Sequence, residues 1–166
     1  MKYRFSIIYV TLIVLVNWLF SVVPMVELPG GEMWPPVSIV VGLIFVVRDF
    51  AQREIGHRII IAMLIGGALS YFMANPFIAY ASVAAFMISE FTDWAVYSFT
   101  GRSFSQRILL SSMLSTPIDS AVFLYLIDAI SPIGVVLMTL SKLLGAVIVW
   151  WMVSRRERND ENNAAA

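Results

Sequence analysis

Residues 40–58 read "VVGLIFVVRDFAQREIGHR": an apolar run that then takes on Arg48, Asp49, Arg53, Glu54 and Arg58. The fold turns on whether this is a soluble surface helix or a membrane span that ends in charge. Composition favours the span. Of 166 residues, 60% are hydrophobic and 13% charged, whereas a soluble domain carries about a quarter charged residues. Mean hydropathy is +0.83. The chain therefore reads as an all-α polytopic membrane protein, too short for a second domain. It has no cysteine and one histidine, His57, which removes thiolate chemistry and starves His-based zinc or haem sites of ligands. Formal net charge is zero, so nothing points to a nucleic-acid partner.

A span needs about 20 apolar residues, and six segments approach that: 5–23, 37–56, 58–74, 78–99, 107–127 and 132–153. Helix breakers separate them. "PMVELPGGEMWPP" holds four prolines and two glycines, "NP" stands at Asn75–Pro76, "TGRSFSQR" follows the fourth segment, and "SP" stands at Ser131–Pro132. Nine of the eleven basic residues then fall on one side: Lys2, Arg4, Arg53, Arg58, Arg102, Arg107, Arg155, Arg156 and Arg158. The opposite loops carry only acids, Glu27, Glu32 and Asp128. The positive-inside rule puts both termini in the cytoplasm. Residues 1–154 are expected to form one six-helix transmembrane domain and 155–166 a polar, disordered cytoplasmic tail. The first span is too long for the apolar core of a signal peptide and is expected to be retained.

Six ionisable residues remain inside the spans: Arg48, Asp49, Glu90, Asp93, Asp119 and Lys142. Each costs at least about 2.5–3.5 kcal/mol at mid-bilayer, so such groups face a bundle interior and find partners. Glu90 and Asp93 share a helix face at i,i+3. Asp49, Gln52, Arg53 and Gly56 share another, with Arg48 about 100° away. Asn17 lies at similar depth. Four acids against two bases leave a formal excess of two negative charges, which protons or a cationic solute would balance. Two readings stay open. Buried pairs such as Arg48 with Glu90, or Lys142 with Asp119, fix helix register; or the set lines a transport pathway. A purely structural bundle has cheaper apolar contacts available.

Weaker signals accompany these. Pro117 in "STPIDS" frees a backbone carbonyl near Asp119, which Ser115 or Thr116 is placed to satisfy. Ala62, Gly66, Gly67 and Ser70 form a small-residue face suited to close helix packing. Trp34, Trp150 and Trp151 suit interface anchoring, while Trp94 adjoins Asp93 and is placed to stack on a planar ligand. Glu54 and Arg58 are spaced for an i,i+4 pair. Walker A, GxSxG, HExxH and Cys–His arrangements are missing, so no enzyme, cofactor or metal is expected. An oxygen-ligand cation site from Glu90, Asp93 and Asp119 is an alternative use of the acids.

Three segments together resemble the VUT family, the vitamin uptake transporter-like or queuosine precursor transporters. They are "RDFAQREIGHR", "SVAAFMISEFTDWAVYSFTGR" and "LLSSMLSTPIDSAVFLYL", in order across residues 37–127. The resemblance implies a six-helix fold similar to the substrate-binding subunits of energy-coupling-factor transporters. It implies a bacterial inner-membrane importer of 7-cyano-7-deazaguanine, 7-aminomethyl-7-deazaguanine or a related deazapurine, serving tRNA modification salvage. Carried over motif by motif, it makes Asp49, Gln52, Arg53, Glu54, Glu90, Asp93, Tyr97, Ser115, Asp119 and Ser120 site candidates. Glu90 and Asp119 are expected to contact the ligand, with Asp93, Trp94, Asp49, Gln52, Ser115 and Ser120 around them and Phe91 or Phe45 as further stacking surfaces. Arg48, Asp49 and Lys142 are expected to gate or couple. The expected partners are the deazapurine and membrane lipid, with a homodimer left open. A self-sufficient secondary transporter is expected; a binding subunit driven by partner ATPases is the alternative.

Overall fold

Each apolar segment becomes a helix because its prolines sit at or beyond its ends, Pro117 excepted, and the glycines inside are single or paired rather than part of a turn sequence. The structure, a computed structural model, describes residues 3–28, 31–73 and 76–165, with the backbone alone described at 21, 73, 76–79, 161, 164 and 165. Lys2, Pro29, Gly30, Asn75 and Ala166, which entered the topology, loop, helix-break and tail readings, lie outside the described residues. The α-helices are α1 (Arg4–Val22), α2 (Ser38–Ile55), α3 (Ile59–Met73), α4 (Pro76–Phe99), α5 (Phe104–Leu126) and α6 (Pro132–Ala165). A single 3-10 turn, Gly56–Arg58, joins α2 to α3. Gly56 has φ +63, a conformation that favours glycine, and it lets the chain reverse there.

Two features were not expected. The loop after α1 forms a short antiparallel hairpin, β1 (Val26–Glu27) with β2 (Met33–Trp34). Trp34 Nε1 donates to Ser141 Oγ at 3.0 Å and fastens the hairpin to α6. Second, residues 155–165, expected to be disordered, continue α6. Arg155, Arg156, Glu157 and Arg158 are good helix formers. Glu157 also accepts from the backbone N–H and the hydroxyl of Ser105, at 3.3 and 2.6 Å, tying the extension to the start of α5.

The helices form a closed ring in the order α1, α2, α6, α5, α4, α3 and back to α1. Polarity runs inside out. Phe72 and Phe99 are 82% and 81% exposed on the outer surface, while Arg48, Asp49, Glu90 and Asp93 are fully buried at the centre. A water-soluble fold shows the reverse. Among the described residues, three stretches are long and apolar enough to cross a membrane: Ser38–Phe72, Phe104–Leu126 and Pro132–Asp160. The first is α2 and α3 together, divided at Gly56. Arg4–Phe20 is a shorter apolar helix.

The α2–α6 crossing depends on two glycines. A Cβ on Gly42 would collide with the backbone of Lys142, and one on Gly145 would stand 3.1 Å from Leu43 Cδ2. Gly42→Ala is therefore expected to destabilise the bundle by about 2–3 kcal/mol, read as an earlier unfolding midpoint in detergent micelles. Gly101→Ala, whose Cβ meets nothing within 4 Å, is the control. Gly66 works similarly on α3, where an added Cβ would press on Ile13.

Glu54 does not pair with Arg58. Its carboxylate accepts from the backbone N–H groups of Arg4, Phe5 and Ser6 at 2.8, 3.1 and 3.3 Å. It thus caps α1 from the end of α2, satisfying donors that helix starts leave free. Glu54→Ala is expected to cost about 1 kcal/mol and to speed amide hydrogen exchange in the first turn of α1. Unchanged exchange there would remove the capping role.

Candidate functional site

Helix periodicity turns the buried face of α2 toward α4 and α5, and the polar residues of all three meet there. Arg48 is the hub. Its Nη1 donates to Asp49 Oδ1 at 2.7 Å and to Gln52 Oε1 at 2.9 Å. Its Nη2 donates to the Glu90 carbonyl at 3.0 Å, and its Nε reaches Glu90 Oε2 at 3.4 Å. Asp93 Oδ2 lies 3.1 Å from Nη2 as an ion pair, but at an angle too poor for a hydrogen bond. The sequence reading turned Arg48 about 100° from the Asp49–Gln52 face. Its length overrides that: the guanidinium swings back across the face and bonds both residues.

Hydroxyls complete the cluster. Tyr9 on α1 donates to Glu90 Oε2 at 2.7 Å. Ser111 donates to Asp49 Oδ2 at 3.1 Å and Ser115 to Asp93 Oδ1 at 3.4 Å, both from α5. Gln52 Nε2 donates to Ser98 Oγ at 2.8 Å. Glu90 Oε1 is buried and has no partner. One guanidinium facing three carboxylates carries a formal charge of minus two. The excess counted over the six ionisable residues within the spans is therefore concentrated in this cluster.

The second polar centre is separate and neutral. Lys142 Nζ on α6 donates to Asp119 Oδ2 at 2.5 Å and to Ser120 Oγ at 3.0 Å. Ser89 donates to Asp119 Oδ1 at 3.0 Å, and it immediately precedes Glu90, so adjacent positions of α4 link the two centres. Asp119 and Lys142 face a cavity of about 50 Å³, counted as space open to the centre of a water molecule. That admits a few waters, at roughly 10–15 Å³ each. Asn17, Ser70 and Ser82 add polar walls; Phe20, Phe86 and Phe123 add aromatic ones. Asn17 Nδ2 donates to Ser70 Oγ at 2.8 Å, so the small-residue face of α3 supplies packing at Gly66 and a polar wall at Ser70.

The expected site residues thus divide. Asp119 and Lys142 line the cavity, and Ser120 supports Lys142 from behind. Glu90, Asp93, Asp49, Gln52 and Ser115 sit with Arg48 in the ionic cluster, outside the cavity lining. Trp94 lies elsewhere: its Nε1 donates to His57 Nδ1 at 3.3 Å, and its ring packs edge-on to Phe91 and Phe99. Adjacency to Asp93 misleads, because neighbouring helix residues point about 100° apart. Phe91 and Phe45 also stand outside the cavity. Near Pro117, Thr116 donates back to the Ser112 carbonyl and Ser115 turns to Asp93, so neither serves the carbonyl that Pro117 frees. Tyr9, Ser89 and Ser111 escaped the sequence reading because isolated hydroxyls in apolar runs carry no periodic signal.

Among the described residues, no group of three or more His, Cys, Asp or Glu side chains is arranged to hold a metal ion. The Glu90–Asp93–Asp119 cation site is therefore not assembled: Arg48 occupies the position between the first two acids. No protein-family model matches the chain, and no curated protein or solved structure shows significant similarity to it.

Proposed function

We propose that this chain is a multi-pass membrane transporter for a small planar polar solute of the deazapurine class. The observation that carries the reading is the central cavity: a carboxylate, an ammonium, an amide and three phenyl rings converge inside an apolar bundle. Asp119 offers two oxygens to paired N–H donors such as those on a guanine-like edge. Phe20, Phe86 and Phe123 offer faces for a ring, and Lys142 holds Asp119 in register. Ligand pockets run to about 300 Å³ or more, so this reading requires the helices around the cavity to part on binding, as alternating access does. The ionic cluster of Arg48 is the charged partner layer beside the cavity. Its excess negative charge suits a proton or a cationic aminomethyl group as the balancing species.

The three motifs that resemble the queuosine precursor transporters narrow the solute to 7-cyano- or 7-aminomethyl-7-deazaguanine. The basic residues at one end of the helices support six crossings of a bacterial inner membrane with both termini in the cytoplasm. Uptake of radiolabelled deazaguanine into cells unable to make the precursor tests the function. Saturable uptake that depends on this chain is expected. Uptake equal to that of cells lacking the chain overturns the proposal. Purified protein in liposomes separates the two modes: accumulation without added partners is expected for a secondary transporter.

A further inference from the structure

A second pocket lies where α2 ends and α5 begins, apart from the central cavity. Arg53, Tyr97, Arg102, Phe104 and Arg107 line it, and it measures about 210 Å³ on the same scale. The Arg53 guanidinium sits 4.4 Å from the centroid of the Phe104 ring, and that of Arg107 sits 5.6 Å from the Tyr97 ring. Arg107 Nε donates to the Arg102 carbonyl at 2.9 Å. These contacts orient the guanidinium planes and leave terminal N–H donors unused. Among the described residues, no carboxylate lies within ion-pair distance of any of the three arginines. Glu54, the acid next to Arg53, is committed to the α1 cap.

Three like charges gathered around a concavity repel one another unless an anion sits between them. The guanidinium fork matches phosphate oxygens in paired hydrogen bonds. The strongly exposed Phe99 ends α4 nearby, placing the arginines at the edge of the apolar surface, where headgroups stand. We propose that this pocket binds a phosphate group, and that the phosphate is the headgroup of an anionic phospholipid. The inference rests on the bundle's membrane setting and not on what the central cavity carries.

Native mass spectrometry of the full chain in detergent, with phosphatidylglycerol or phosphatidylcholine added and inorganic phosphate as competitor, tests it. One retained phosphatidylglycerol, preferred over phosphatidylcholine, is expected. R53Q/R102Q/R107Q is expected to weaken retention about tenfold, the sum of three partly exposed contacts. R155Q/R156Q/R158Q, which alters basic residues outside the pocket, is expected to leave it unchanged. Arg102→Gln alone, whose side chain holds no ring, covers the case of a triple variant that misfolds, and about a threefold loss is expected. Equal retention by the Arg102 variant, an equal loss in the Arg155 set, or no headgroup preference overturns the proposal. Displacement by inorganic phosphate at concentrations matching the lipid overturns the lipid source and assigns the site to free phosphate.

Discussion

Replacing Arg48 with methionine is expected to destabilise the protein by about 3–5 kcal/mol, the cost of leaving buried charge uncompensated. The side chain is fully buried and holds Asp49, Glu90, Asp93 and Gln52 at once. Methionine fills similar volume, so packing changes little and the loss reports on charge. Neutralising the stranded acids should then reverse it. R48M/D49N/E90Q/D93N is expected to recover most of the loss, because an apolar or amide replacement of a whole buried ionic set is often neutral. Unfolding midpoints in detergent micelles measure both steps. A single-variant loss under about 1 kcal/mol, or a quadruple variant worse than R48M, contradicts the hub role.

The Asp119–Lys142 pair is expected to behave differently, because it faces the cavity. Lys142→Met strands Asp119 with only Ser89 as donor, and Asp119→Asn strands Lys142 with Ser120. Each single change is expected to cost about 3 kcal/mol and to lower deazapurine uptake at least tenfold. D119N/K142M is expected to regain stability to within about 1 kcal/mol of the parent, since both charges are gone. Uptake is expected to stay lost, since the carboxylate proposed to meet the solute is gone too. A double variant that is stable and still transports would reduce the pair to a register-fixing ion bridge.

Much of this was legible in the chain. The six helices begin and end within three residues of the apolar runs, apart from the far end of α6. The pairs Arg48–Glu90 and Lys142–Asp119 follow from depth alone, because a buried charge needs an opposite one at its own level. What depth cannot reveal is which helix neighbours which. The ring order puts α2 beside α6 and makes Gly42 a contact point for the Lys142 backbone, yet Gly42 looks like any glycine in an apolar run. The order also brings Tyr9 to Glu90 across 81 positions. Adjacency in sequence sets Trp94 beside Asp93, whereas the rings that line the cavity, Phe20, Phe86 and Phe123, are gathered from three helices. Glu54 was assigned a local partner because its actual one, the start of α1, is 50 positions away.

We propose that Asp119 and the rings beside it recognise a deazapurine. Equilibrium binding of a panel to the purified protein tests it most directly: 7-cyano-7-deazaguanine, 7-aminomethyl-7-deazaguanine and guanine, each against the parent chain and Asp119→Asn. Saturable binding of at least one deazaguanine is expected, preferred over guanine and at least tenfold weaker in the variant. Binding to neither deazaguanine, or binding that Asp119→Asn leaves unchanged, would contradict it.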